Sequence, residues 1–160
     1  MIVRVAGPED ATAVRDVAVA AWRATYAGLL SGRTIDTFVD LAYSIDRLQR
    51  RIDCHTFLVV EDAGSIIAFA DAVLGDGQLN LGAIYADPGR RGEGAGTLLL
   101  GELRSRFPGL PIRADVLRGN RLGEVFYERR GFVPREEIES DLFAEPVVER
   151  RWWLTASLDG

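Results

Sequence analysis

Residues 79–134 limit most strongly what this chain can fold into, because the run Arg90-Arg91-Gly92-Glu93-Gly94-Ala95-Gly96-Thr97 sits between a strand-like and a helix-like stretch. Before it, Leu79, Leu81, Ala83 and Tyr85 alternate with Asn80, Gly82 and Ile84, the two-residue period of a strand. Asp87-Pro88 ends that strand. After the glycines, Leu98, Leu99, Leu103 and Phe107 recur at helical spacing and stop at Pro108-Gly109. A strand over 111–117, a turn at Gly119-Asn120 and a helix over 121–130 closed by Gly131 follow. The glycines thus fall where a helix begins, and several backbone N–H groups without helical partners converge there. Such a point suits an anion, for example a pyrophosphate.

The rest of the chain supplies a sheet and further helices. Ile2–Val5 reads as a first strand. Gly7-Pro8-Glu9-Asp10 starts a helix, with proline in its first turn and acids beside it. Val14, Val17, Ala18, Ala21 and Trp22 give that helix one apolar face, ending near Tyr26-Ala27-Gly28. A second helical region covers 34–51, with a break between Asp40 and Ser44. Residues 56–61 and 66–73 form a hairpin about Asp62-Ala63-Gly64-Ser65, and Gly75-Asp76-Gly77 is a second turn. Phe132-Val133 starts another strand, and 138–142 and 147–154 are further strand candidates. The order β-α-α-β-β-β-α-β-α-β, with room for one more strand, implies an α/β (α+β) protein with a mixed sheet and helices on both faces.

Composition narrows the partners. The 160 residues carry a net charge of −5, which argues against nucleic acid as the main partner. No apolar run approaches the ~20 residues that span a bilayer, and Met1-Ile2-Val3-Arg4-Val5 lacks a signal peptide's apolar stretch, so a cytoplasmic protein without membrane contact is expected. Cys54 is the only cysteine and His55 the only histidine, which leaves no disulfide and no structural zinc site. All nineteen basic residues are arginine, so a phosphate loop of the G-x-x-x-x-G-K-[ST] type is excluded. A dinucleotide fingerprint fails as well, since Thr97 stands where G-x-G-x-x-G needs its third glycine.

These residues resemble the GNAT superfamily of N-acetyltransferases. The family pattern Arg/Gln-x-x-Gly-x-Gly/Ala is matched by Arg91, Gly94 and Gly96. Ile84-Tyr85-Ala86-Asp87-Pro88 precedes it, Asn120 follows the next strand, and Phe126-Tyr127-Glu128-Arg129-Arg130-Gly131-Phe132 comes after that. Trp22-Arg23-Ala24-Thr25-Tyr26-Ala27-Gly28-Leu29 resembles one branch of the family. The likeness runs over nearly the whole chain. It implies one N-acetyltransferase domain over 1–160, with a mostly antiparallel sheet of six to seven strands and a splayed strand pair holding the cofactor.

The resemblance also implies chemistry. Acetyl-coenzyme A is the implied cosubstrate, and a primary amine of a small molecule or peptide the implied acceptor, attacking the thioester directly in a ternary complex. Backbone N–H groups of Arg91, Gly92, Glu93, Gly94, Ala95, Gly96 and Thr97 would hold the pyrophosphate. Ile84, Tyr85 and Ala86 would lend backbone groups to the pantetheine arm, with an N–H near Ile84 serving the developing oxyanion. Asn120 and Phe126 complete the implied cofactor set, although Asn120 equally serves as a turn residue. Arg90 and Arg91 are either phosphate partners or solvated surface charges.

Tyr127 matches the family's tyrosine general acid, or is a core tyrosine beside Phe126 and Phe132. Moving a proton from a tyrosine to a thiolate is uphill by about 2 kcal/mol at ordinary pKa values, so a hydrogen bond to the thiolate describes its part better. The glutamate that many relatives carry as general base aligns with Asn80, which is neutral; Asp71, Asp115, Glu61 or a water chain are the substitutes. Cys54 and His55, read as neighbours on a strand, would face opposite ways and form no nucleophile pair. Trp22, Tyr26, Asp71 and Asn80 are the expected acceptor-side residues, with helix packing the competing role for Trp22. Trp152 and Trp153 should face opposite sides of a strand, one of them available to a dimer contact, so a monomer or a homodimer is expected. The competing class is an acyl-coenzyme A-binding sensor without turnover, which the loss of glutamate at Asn80 favours.

Overall fold

The computed structural model of the chain describes residues 1–155. Seven strands build one sheet: β1 (Ile2–Val5), β2 (Thr56–Asp62), β3 (Ser65–Leu74), β4 (Leu79–Ala86), β5 (Ile112–Leu117), β6 (Val133–Leu142) and β7 (Glu145–Leu154). They lie in the order β1-β2-β3-β4-β5-β7-β6. Only the β4–β5 pair is parallel; the helix α4 (Ala95–Arg106) carries the chain back between these two neighbouring strands. The helices α1 (Ala11–Tyr26), α2 (Gly32–Ala42) and α3 (Ile45–Cys54) cover one face, and α4 covers the other together with α5 (Arg121–Arg129). This is the expected mixed sheet, with helices on both sides and seven strands.

Two packed layers of apolar side chains follow. On the α1 side, Val14, Val17, Ala18 and Trp22 pack on Phe57, Val59 and Phe69. On the α4 side, Leu99, Leu100 and Leu103 pack on Leu58, Val60, Leu79 and Ile112. The helical region expected over 34–51 is two helices, and its expected break between Asp40 and Ser44 falls at Tyr43-Ser44. Serine makes that break local: Ser31 accepts from the N–H of Thr34 and Ser44 from that of Arg47, so each helix carries its own cap. The stretches expected separately at 132–133 and 138–142 are one strand, β6, irregular between Pro134 and Glu137. Cys54 and His55 lie at the end of α3 and not on a strand, which corrects the reason they stay apart. Trp152 and Trp153 do take opposite faces: Trp152 is buried in the α4-side core, and Trp153 donates its indole N–H to Glu136 at 3.2 Å.

The uniform alternation expected for β4 is broken. Asp71 on β3 opposes Ala83, while Ala72 opposes Leu81, so Gly82 is an extra residue in a β-bulge. Leu79 and Leu81 therefore pack on the α4 side, and Ala83 and Tyr85 on the α1 side. A bulge reverses the facing of every later residue, which periodicity read across it cannot reveal.

One part-buried ion pair fixes the entry to α1. Asp10 accepts from Arg4 at 2.7 and 2.9 Å and from the N–H of Gly7 at 2.8 Å. The hydrogen bonds from Arg4 lead in holding the Asp10 carboxyl below the ordinary aspartate range. A lowered folded-state pKa gives stability that is present above the ordinary value and lost as pH falls through the folded one. Asp10→Asn should therefore destabilise by about 1–2 kcal/mol at pH 7, the lower part of the range for charged hydrogen bonds because solvent screens the partly exposed Arg4. The difference in melting temperature should begin to close below about pH 4 and disappear once pH has fallen through the lowered Asp10 pKa; a gap that does not narrow with falling pH would contradict this assignment.

At the far end of the sheet, Glu145 accepts from the N–H of Ser31 at 3.1 Å and from its hydroxyl at 2.8 Å, tying the β6–β7 hairpin to the start of α2. Among the described residues no helix is long and apolar enough to cross a membrane, and no cluster of His, Cys, Asp or Glu could hold a metal ion.

Candidate active site

The parallel strands β4 and β5 pair at only three positions, Leu79 with Ile112, Asn80 with Arg113 and Leu81 with Ala114. Beyond them the strands part, although β4 runs on to Ala86 and β5 to Leu117. The Gly82 bulge stands at the parting point. A cleft of about 490 Å³ opens between the strands. Residues 81–86 form one wall, Asp115 and Val116 the other, and the start of α4, much of α5 and the end of α1 close it. From Gly82 onward β4 has no strand partner on the cleft side, so its backbone groups there are available to an extended ligand.

The glycine run forms one end of the cleft. Gly92 and Gly94 have φ of 79° and 96°, a backbone that side-chain-bearing residues rarely adopt. Gly94 precedes α4, whose first N–H groups, on Ala95, Gly96 and Thr97, have no carbonyl four residues back within the helix. Among the described residues, no other backbone acceptor reaches them. Gly96 has a different reason to be glycine: a Cβ there would come within 2.6 Å of the Phe126 ring. Phe126 is held in turn by Arg130, whose guanidinium lies 3.7 Å above the ring and donates to the Thr97 hydroxyl at 2.7 Å.

Arg130 thus places a positive charge beside the α4 N-terminus, a position that the sequence reading did not assign to it. Its signal was the four-residue step from Phe126, one helical turn. Arg90 lines the cleft but is engaged by Asp62 and Glu93, and Arg91 donates to Thr25 at 2.9 Å. Glu93 does not line the cleft; its carboxylate turns to Arg90.

Three tyrosines and one asparagine supply the polar groups of the interior. Tyr26 and Tyr85 join their hydroxyls at 2.8 Å across the cleft wall. Burial leads in raising the pKa of both. Asn120 caps α5 by accepting from the N–H of Gly123 at 3.1 Å, and its side chain also lies against the Tyr26 hydroxyl. Tyr127 lines the cleft and packs between Phe126 and Phe132, at ring distances of 5.2 and 4.9 Å. It is only 7% exposed, and its pKa is pushed well up, by burial first. Among the described residues its hydroxyl has no hydrogen-bond partner.

The other expected acceptor-side residues lie outside the cleft lining. Trp22 stacks on Phe38 at 3.9 Å within the α1-side core. Asp71 is buried beneath α3, bound by Arg51 and by His55 Nδ1, each at 2.8 Å. Asn80 accepts from Gln78 at 2.9 Å near the β3–β4 turn. Ile84, Tyr85, Ala86, Arg91, Gly92, Gly94, Ala95, Gly96, Thr97, Asn120, Phe126, Tyr127 and Tyr26 do come together around the cleft.

Known proteins agree with this geometry. The family described as "Acetyltransferase (GNAT) domain" matches residues 53–134, half of the chain, and the chain belongs to that family. Acetyl-coenzyme A is the acyl donor that GNAT domains use. The fold is similar to that of the PaiA N-acetyltransferase from Thermoplasma acidophilum in complex with coenzyme A, with a TM-score of 0.80 and 24% identity over 93% of this chain and 96% of that one. It is equally similar to a GCN5-related N-acetyltransferase from Rhodopseudomonas palustris, with a TM-score of 0.80 and 20% identity over 96% and 94% of the two chains. Apo-form YjaB from Escherichia coli follows with a TM-score of 0.75 and 21% identity over 98% and 100%. No protein of curated function matches the sequence.

Proposed function

We propose that this acyltransferase moves the acetyl group of acetyl-coenzyme A to a primary amine of a small molecule or peptide, by direct attack in a ternary complex. One observation carries the reading: β4 and β5 separate after Leu81 and Ala114, and the cleft between them ends at the unpaired N–H groups of α4. A long ligand with an anionic end and a thioester at the other fits that shape. The N–H groups of residues 91–97 bind the pyrophosphate, assisted by the α4 dipole and the Arg130 charge. The free edge of Ile84, Tyr85 and Ala86 takes the amide-bearing arm as an added strand would. Asn120 and Phe126 flank the arm.

The thioester then lies near the bulge, in the cleft that Tyr127 of α5 also lines. Its raised pKa makes Tyr127 a poor proton source, so its hydroxyl stabilises the leaving thiolate by a hydrogen bond. The amine enters from the α1 side, past Tyr26. Trp22, Asp71 and Asn80 support that side from behind.

Calorimetry with coenzyme A, followed by thiol release from acetyl-coenzyme A over a panel of amines, tests the reading. Gly94→Ala should weaken coenzyme A binding about tenfold, because alanine costs about 1–2 kcal/mol in the left-handed backbone there. Unchanged affinity would remove the loop from the phosphate site. Neutral Asn80 favours a second reading, a sensor that binds acyl-coenzyme A without turnover; binding with no thiol release for any amine would establish it.

A further inference from the structure

Amine transfer makes a demand that none of the residues assigned so far meets. At pH 7 only about one alkylamine in 2,500 is unprotonated, so the nitrogen must lose a proton before it attacks. Of the carboxylates that could act as a base, Asp115 lines the cleft and the others stand outside its lining; they differ in how far they are occupied. Asp71 is taken by Arg51 and His55, and Glu61 by Arg4 at 2.6 Å. Asp115 sits between Arg151 at 3.4 Å and Arg113 at 3.9 Å.

Glu149, on β7, is different. It pairs with Leu117 of β5 and Ile138 of β6. Val147, two residues earlier on the same face, packs in the α1-side core, so Glu149 points to the side of Tyr26 and Tyr85. It is half-buried, and among the described residues it has no hydrogen-bond partner and no ion pair. The charged and titratable groups facing it are Asp115 from β5, Arg151 from its own strand and Tyr26 from α1. Burial, then Asp115, raises its carboxyl above the ordinary range, and Arg151 opposes them. A carboxylate that is harder to ionise is the stronger base. The cleft marks the reacting point independently, through Tyr127, a largely buried residue that lines it and whose hydroxyl has no hydrogen-bond partner among the described residues.

We propose that Glu149 is the general base of the transfer, taking the ammonium proton of the acceptor through a bridging water on the α1 side of the cleft. This assignment rests on the acetyl-transfer reading above. The ammonium proton passes to Glu149 and from there to solvent. The freed nitrogen lone pair forms the C–N bond, and the C–S bond breaks with its electron pair on sulfur. A second N–H proton ends on that sulfur, which Tyr127 has meanwhile hydrogen-bonded.

The test compares thiol release by the wild type, Glu149→Gln, Glu149→Asp and Asp115→Asn between pH 6 and 10, with tyramine, L-lysine amide, spermidine and an alanine-ended peptide as acceptors. Glu149→Gln should lower kcat about 100-fold at pH 7 with coenzyme A affinity unchanged. Its deficit should shrink below about tenfold by pH 10, where the amine is free without help, and the acid limb set by Glu149 in the wild-type kcat/KM profile should be replaced by a rise that follows the amine's own ionisation. Glu149→Asp should recover part of the rate. Glu149→Gln within about threefold of wild type, with the acid limb in place, overturns the assignment; so does a loss of that size in Asp115→Asn alone. Wild-type protein that binds coenzyme A but releases no thiol with any of these amines overturns the transfer reading itself, visibly before any variant is made, and the role of Glu149 with it.

Discussion

Tyr127→Phe is expected to lower kcat about 10- to 150-fold while leaving coenzyme A affinity within about twofold, the loss of one hydrogen bond to a charged sulfur worth about 1.5–3 kcal/mol. The substitution removes one oxygen that has no protein partner among the described residues, so no buried group is left unsatisfied. The ring still packs on Phe126 and Phe132, and stability should stay level or rise slightly. Steady-state thiol release and calorimetry check this together. If Tyr127 donated a full proton, its rate would also depend on leaving-group pKa far more steeply than a hydrogen bond requires. An unchanged kcat would make Tyr127 a core residue and nothing more.

Phe69→Ala should be the most damaging single change to stability, at about 3–5 kcal/mol. Phe69 is fully buried on the inner strand β3. Its ring stacks on Phe57 at 5.6 Å and meets Tyr43 at 5.9 Å and Tyr85 at 6.0 Å. Removing it leaves a cavity that a sheet held on both faces cannot close. Against a typical total of 5–15 kcal/mol the loss is a large share. With a slope near 2 kcal/mol/M, the urea midpoint should fall by about 2 M. Tyr85 would lose its backing, so the hydroxyl pair with Tyr26 should loosen and activity fall even in the fraction that remains folded. A midpoint shift under about 0.5 M would show that the core relaxes into the gap.

Much of the fold was legible because its signals are local. Alternation marks the strands, the Pro8 entry marks α1, and Gly131, with φ of 87°, closes α5 just where its glycine predicts. The glycine loop was legible for the same reason: left-handed glycines before an apolar helix need no distant partner to be recognised. The bulge at Gly82 was not legible, since an extra residue in one strand shows only against its neighbour. Arg130 and Glu149 escaped because each meets groups far away in the chain, Arg130 meeting Thr97 across the helix pair and Glu149 facing Tyr26 on the same side of the sheet. Asp71 looked available as an isolated carboxylate and is occupied by Arg51 and His55 in three dimensions.

The sequence by itself therefore determined the elements, their order, the glycine loop and the family likeness, all of which depend on spacing within a few residues. Only the tertiary structure decided where β4 and β5 part, which tyrosines share a hydrogen bond, and which carboxylate near the cleft has no partner. Those outcomes depend on register and on long-range pairing of charges, and both are properties of the closed sheet, not of any segment in it.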